Sequence, residues 1–256
     1  MVSLPTFSVI TACFNAVATL PDCLKSVHSQ QGVQVEHIIQ DGGSTDGTLE
    51  ILRNSNFPLQ LHVGPDSGFY DALNKGISRG TAPFVAILNA DDLYANELVL
   101  ANVAKAFAET GADVVYGDLL YVDRLNPEKA HRYWPAGPYR REAFRLGWMP
   151  PHPSFFLRRE AYVQHGGYRL DMGSAADYEL MLRMLYHYRL SATYLPQTLT
   201  LMRTGGASNA SLKNRIAANR QDVRAWRVND LKPPLGLALT KPLRKIGQFF
   251  NKGRAL

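Results

Sequence analysis

Phe84-Val-Ala-Ile-Leu-Asn-Ala-Asp-Asp92 is the stretch whose reading decides the fold. Its first five residues are a short, continuous apolar run bounded by Pro83 and polar residues, the pattern of a strand buried on both faces. Such strands belong to parallel α/β sheets, where ligands bind at the carboxyl ends of the strands. This run ends on two adjacent carboxylates, Asp91 and Asp92. A carboxylate pair at that edge suits a hard divalent cation, which in turn grips a diphosphate. Two other segments repeat the arrangement. Phe7-Ser-Val-Ile-Thr-Ala-Cys13 ends at Phe14-Asn15, and Glu36-His-Ile-Ile-Gln40 ends at Asp41-Gly-Gly-Ser-Thr-Asp-Gly47. Three strands that deliver polar groups to one edge predict a nucleotide site.

Outward from these strands the chain alternates regularly. Pro21 sits at a predicted first helical position for a helix through about Gln30. Ser44 or Thr45 is expected to cap a helix to about Arg53, with Asp46 in its first turn. Leu59 to Val63 reads as a strand, Gly68 to Ser78 as a helix with Phe69, Ala72, Leu73 and Ile77 on one stripe, Asn96 to Thr110 as a helix and Asp113 to Gly117 as a strand. The β-α alternation predicts an α/β fold, a mostly parallel sheet with helices on both faces. From Asp118 to Pro153 six prolines break the rhythm in a segment rich in arginine and aromatics, expected to be a functional loop or lid. Ser154 to Leu157 then reads as a strand, Ala176 to Tyr188 as a helix, Ser191 to Leu195 as a strand and Lys213 to Asn229 as a helix. Two domains are expected, a catalytic one over 1–205 and a basic helical extension over 206–256.

The 256 residues suffice for a large core, and 46% apolar with 20% charged residues is ordinary for a soluble globular protein. Two cysteines, Cys13 and Cys23, argue against a disulfide scaffold and for a reducing compartment. No signal peptide and no run of about 18 apolar residues is evident, so a cytoplasmic protein without a membrane span is expected. The net charge of +6 is unevenly placed: residues 1–202 carry 16 Lys+Arg against 20 Asp+Glu, whereas residues 203–256 carry 12 against 2. With apolar residues interleaved in the tail, this predicts peripheral docking on an anionic membrane surface. No recognisable nucleic-acid-binding module accompanies the charge, so a nucleic-acid partner is not expected.

Four ordered motifs carry a family resemblance: Val9-Ile-Thr-Ala-Cys-Phe-Asn15, Asp41-Gly-Gly-Ser-Thr-Asp-Gly-Thr48, Asp66-Ser-Gly-Phe-Tyr-Asp-Ala-Leu-Asn-Lys-Gly76 and Leu88-Asn-Ala-Asp-Asp92. Together they resemble the family 2 glycosyltransferases over about residues 6–205. The third motif looks most like the branch that includes colanic-acid-type exopolysaccharide transferases. The resemblance implies the GT-A fold, inverting chemistry, a nucleotide-diphosphate-sugar donor (a UDP-sugar favoured), and Mg²⁺ or Mn²⁺.

It also implies roles for particular residues. Asp41 would accept an N–H from the base, or it is simply the turn-former of Asp-Gly-Gly. Asn15, with the backbone of Thr11 to Phe14 including Cys13, would lie beside base and ribose. Asn74 and Lys75 would face the nucleotide, with Asp66, Tyr70 or Asp71 holding ribose or donor sugar. Asp91 is expected to be the metal ligand with Asp92 beside it, the alternative being helix caps. Asn89 replaces the first acid of the commoner Asp-x-Asp and, with Ala90, would serve the ribose. Asp177, in Ser174-Ala-Ala-Asp-Tyr-Glu179, matches the family position of the catalytic base, with Glu179 in reserve. His152, framed by Pro151 and Pro153, is expected at the metal or diphosphate. Gln221-Asp-Val-Arg-Ala-Trp226 nearly spells the Gln-x-x-Arg-Trp signature of processive synthases, but one residue too long, which predicts transfer of a single sugar to a saccharide acceptor, lipid-linked in the membrane reading. The rivals are a non-catalytic nucleotide-sugar-binding subunit and a sugar-nucleotide pyrophosphorylase. The latter would want a Gly-rich basic loop that Thr11 to Ala18 lacks.

Overall fold

The computed structural model describes residues 4–205 and 212–237. Nine strands form one sheet: β1 (Thr6–Cys13), β2 (Gln34–Asp41), β3 (Leu59–Val63), β4 (Phe84–Ile87), β5 (Leu93–Tyr94), β6 (Val114–Val122), β7 (Ala130–Trp134), β8 (Phe155–Arg158) and β9 (Ala192–Arg203). Their order is β3-β2-β1-β4-β8-β6-β9-β5, with β7 paired to β6. Strands β1 to β4 pair in parallel, and so do β6 and β9. Strand β8 is inserted antiparallel between β4 and β6, which therefore run the same way. The fold is the expected α/β one.

The helices follow from the stripes. Helix α1 (Leu20–His28) buries Leu20, Cys23, Leu24 and Val27, and α3 (Phe69–Arg79) buries Ala72, Leu73, Gly76 and Ile77. Gly76 lets α3 lie flat on β1: a Cβ there would sit 2.3 Å from Ile10 Cγ2. Helix α4 (Val99–Thr110) covers the other face with Val103, Ala106 and Phe107. Helix α2 (Thr48–Arg53) starts later than expected, because Ser44 is turned back to Asp41 and it is Asp46 that accepts the Thr48 N–H.

The segment 118–153 is not a lid. Strand β6 continues to Val122 and forms a hairpin with β7, and a 3₁₀ turn follows at Arg141–Leu146. Phe144 and Trp148 are buried there against Tyr116 and Tyr178. Asp118 ties the segment down, accepting from Ala136 N at 2.7 Å, from Tyr194 Oη at 2.8 Å and from Tyr133 Oη. Strand β9 is longer than expected, because its second half pairs with β6 and the unforeseen β5.

Helix α5 (Arg159–His165) leads to α6 (Ala176–Met181), which widens into a π-helical turn at Leu182–His187. The last helix, α7 (Leu212–Arg227), packs on that pair. Trp226 is 1% exposed, lies 4.8 Å from the Tyr186 ring, and shares one core with Ile10, Tyr116 and Leu185. The boundary expected after residue 205 therefore does not separate two cores. Most of the basic tail, 238–256, lies outside the described residues.

Candidate active site

Parallel pairing of β1, β2 and β4 brings Cys13, Asp41 and the Asn89–Asp92 turn to one edge: Cys13 is level with Asp41, and Leu88 N donates to Ile10 O. Asp41 is fully buried there, and its carboxylate is spent on a turn. Oδ1 accepts Gly43 N and Ser44 N at 2.8 Å each, and Oδ2 accepts the Ser44 hydroxyl at 2.7 Å. Those three bonds make it the turn-former of Asp41-Gly-Gly-Ser44. Thr11 is also buried, bonded to His37. The Cys13 thiol is buried beside Asp41, and both effects push its pKa far up, so the side chains of Thr11 and Cys13 point into the core. What this edge exposes is Phe14, the Gly42–Gly43 backbone and Asn15, held at φ 49 with its Oδ1 on Thr45 N. Asp66 reaches the same place: a Cβ on Gly42 would meet Asp66 Oδ2 at 2.7 Å.

The third motif builds loops more than it binds. Asn74 uses both ends of its amide on Tyr168, donating to its carbonyl and accepting from its N–H at 2.8 Å each. Lys75 pairs with Asp71 at 2.8 Å and caps the Pro65 carbonyl at 2.9 Å. Together they lock the Asp66 loop and the Gly166–Tyr168 loop onto α3.

The two acids after β4 part company. Asp92 is fully buried and accepts from Arg203 N at 3.1 Å and from Asn89 Nδ2 at 2.8 Å. Burial and the adjacent Asp91 hold its pKa well above the usual carboxylate range. Both Asp92 oxygens thus take structural bonds, while Asn89, which donates one of them, leaves its own Oδ1 without a partner among the described residues. Ala90, 6% exposed, packs in the apolar cluster beneath. Asp91 keeps its carboxylate unpartnered among the described residues, while its carbonyl accepts from Arg203 Nη1.

Helix α6 carries Asp177 in its first turn. It is half-buried, its Oδ1 accepts Tyr178 N at 2.6 Å, and Oδ2 has no hydrogen-bond partner among the described residues. The Tyr70 hydroxyl lies near it, its pKa pushed up by burial and by the Asp177 charge. Glu179, by contrast, is fully buried and ion-paired with Arg183 at 2.8 Å and Arg169 at 3.4 Å, so it cannot serve as a reserve base. His152 Nε2 lies 2.6 Å from the Tyr168 hydroxyl in the core, and burial lowers its pKa against the pull of Asp177. Its Nε2 is thus taken up by a core contact.

Two residues were missed. Tyr121 on β6 and Arg132 on β7 stack with the guanidinium 3.8 Å from the ring centre. Burial raises the Tyr121 pKa, and among weaker causes the charges of Asp92 and Asp177 raise it too. Both lie in the hairpin that prolines had disguised as a loop.

No group of three or more His, Cys, Asp or Glu side chains placed to hold a metal occurs among the described residues. After β4, Asp91 offers a carboxylate with no partner among the described residues. That donor set fits Mg²⁺ or Mn²⁺, which bind through one or two carboxylates while substrate phosphates and water complete the shell.

Residues 8–166 match glycosyl transferase family 2. A PGL/p-HBAD biosynthesis glycosyltransferase of Mycobacterium bovis is 31% identical over 211 residues, 80% of either chain. Among solved structures, S. aureus TarS 1-349 in complex with UDP superposes with a TM-score of 0.68 at 18% identity, covering 94% of this chain and 72% of that one. A mannosyltransferase from Pyrobaculum calidifontis in complex with GDP-Man and Mn²⁺ gives 0.64, also at 18% identity, covering 96% and 72%. The chain belongs to glycosyl transferase family 2, and its fold is that of the GT-A glycosyltransferases. It is a glycosyltransferase.

Proposed function

We propose that this enzyme transfers one sugar, with inversion, from a nucleotide-diphosphate-sugar to a saccharide acceptor. One observation carries the reading: Asp91, after β4, and Asp177, in the first turn of α6, each keep a carboxylate oxygen without a hydrogen-bond partner among the described residues. The exposed Phe14, the Gly42–Gly43 backbone and Asp66 form the seat for base and ribose, in place of the spent Asp41. A divalent ion held by Asp91 would neutralise charge on the departing diphosphate. Asp177 Oδ2 accepts the proton of the acceptor hydroxyl while that oxygen attacks the anomeric carbon from the face opposite the diphosphate, which inverts the centre. The Tyr70 hydroxyl steadies Asp177 from behind, and Arg132 is placed to meet a donor phosphate or an acceptor oxygen.

A UDP-sugar donor is favoured by the likeness to TarS bound to UDP, and Mn²⁺ or Mg²⁺ by the likeness to the Mn²⁺-bound mannosyltransferase. A lipid-linked acceptor in surface polysaccharide synthesis fits the basic, apolar-interleaved tail, with docking on the anionic cytoplasmic leaflet. No helix among the described residues is long and apolar enough to cross a membrane. A second reading, a subunit that binds nucleotide-sugar without turning it over, is favoured by the loss of Asp92 to structural bonds.

Purified protein with Mn²⁺, a panel of UDP- and GDP-sugars and lipid-linked saccharide acceptors separates the two. Acceptor-dependent nucleotide release that Asp177→Asn abolishes, with donor binding retained, supports transfer. Donor binding without release in the wild type sinks it.

A further inference from the structure

Gln221-Asp-Val-Arg-Ala-Trp226 has no place in the chemistry above, yet its side chains converge on the segment that carries Asp177. Arg224 Nη1 donates to the Asp171 carbonyl at 2.6 Å, and Nη2 pairs with the Asp171 carboxylate. The Gln221 amide lies against Gly173, where a Cβ would meet Gln221 Nε2 at 2.9 Å and where φ is +50°. Trp226 Nε1 donates to the Tyr178 hydroxyl at 3.0 Å. One turn further, Asn229 Nδ2 donates to Glu179 Oε1 at 3.1 Å and folds back onto the Ala225 carbonyl at 2.8 Å. Positions 171, 173, 178 and 179 are thus each touched by α7 or the turn after it, and Asp177 lies between them.

Helix α6 needs that support. Ala175 at its N-cap has no side-chain acceptor, so the local tie on the first turn that holds Asp177 is the bond of Asp177 Oδ1 to Tyr178 N. If α7 served only to cover apolar surface, burying Ala225 and Trp226 would suffice. The polar contacts instead bracket one acid on both sides.

We infer that α7 is a positioning element for the catalytic carboxylate, with Arg224, Trp226 and Asn229 as positioning residues that fix the direction of Asp177 and touch no substrate. The inference rests on Asp177 being the base. Misplacing a reacting group by about 1 Å costs up to roughly a hundredfold in rate, so a loosened first turn of α6 should register in kcat rather than in donor binding.

Arg224→Gln in the full chain tests it, with Asp171→Asn as the reciprocal variant. Arg224 and Asp171 are about half exposed, 47% and 56%, and such ion pairs contribute little to stability. Amide exchange across 171–178, kcat, donor KM and Tm are measured together. Expected are exchange faster by about tenfold, kcat down by about tenfold, donor KM within about twofold and Tm essentially unchanged, with Arg224→Lys recovering part of kcat. Unchanged exchange over 171–178 in both variants overturns the inference whatever the activity does. Faster exchange with wild-type kcat also overturns it, provided Asp177→Asn is inactive. Should Asp177→Asn keep wild-type turnover, the base assignment fails, and the exchange result still decides whether α7 holds this segment.

Discussion

Glu179→Gln separates the buried acid of α6 from its catalytic neighbour. Glu179 is 0% exposed, and its oxygens accept Arg183 Nε at 2.8 Å, Arg183 Nη2 at 3.1 Å and Asn229 Nδ2 at 3.1 Å. Glutamine keeps the volume, removes the charge and turns an amide N–H₂ toward an arginine that is itself buried. Removing one partner of a buried ion pair costs about 3–5 kcal/mol. Arg183 retains the carbonyls of His165, Gly166 and Gly167, which places this case near the lower end, about 3 kcal/mol. For a chain of this size that is a fall in Tm of roughly 6–12 °C. Far-UV circular dichroism melts read the stability, and transfer is assayed at 20 °C, where the variant is still folded. The expected result is a lower Tm with transfer within about tenfold of wild type. Asp177→Asn should do the reverse, melting with the wild type and losing about two to four orders of magnitude in transfer. A Glu179→Gln protein that melts like wild type and cannot transfer would refute the reasoning and make Glu179 the base.

Two further predictions concern groups beneath the site. Arg203, with its side chain 2% exposed, donates to the Asp91 carbonyl and pairs with Asp22, so Arg203→Met should raise the Mn²⁺ concentration for half-maximal transfer by about tenfold; an unchanged metal titration with a lowered Tm would leave Arg203 a purely structural residue. His37 is buried against His28 and Thr11, and burial, with His28 adding to it, pushes its pKa down to about 3 from 6.5. Between those values the unfolded chain binds a proton that the folded one does not. Stability present above pH 6.5 is therefore lost as pH falls toward 3, by up to about 1.4 kcal/mol per pH unit. His37→Gln should flatten the shift in urea midpoint between pH 7 and pH 5; an equal shift in variant and wild type would show that His37 does not carry it.

The sheet was legible because its parallel strands are short apolar runs ending on polar residues, and the run through Leu88 lies where its pattern placed it. The reversed β8 was not, since an apolar run carries no direction. At the site, residue types pointed to the right edge but not to their use. Asp41, Asn74, Asp92 and Glu179 all bear donors or acceptors suited to a ligand, and all are consumed by nearby backbone or by one another. Which oxygen an N–H of the same fold will claim depends on turn geometry and on partners as distant in sequence as Asn74 and Tyr168. Tyr121 and Arg132 stayed hidden because prolines near a hairpin read as loop, and the 221–226 motif gave its helix but not the loop it holds.

The central claim, that Asp91 and Asp177 flank a nucleotide-sugar transfer site, is tested most directly by nucleotide release from a donor panel, with and without saccharide acceptor, for wild type, Asp91→Ala and Asp177→Asn. The account predicts release with at least one donor that requires both acceptor and a divalent ion, and that is lost in both variants while their melts match wild type. Release that persists in chelator and in Asp91→Ala, or in Asp177→Asn, would contradict it.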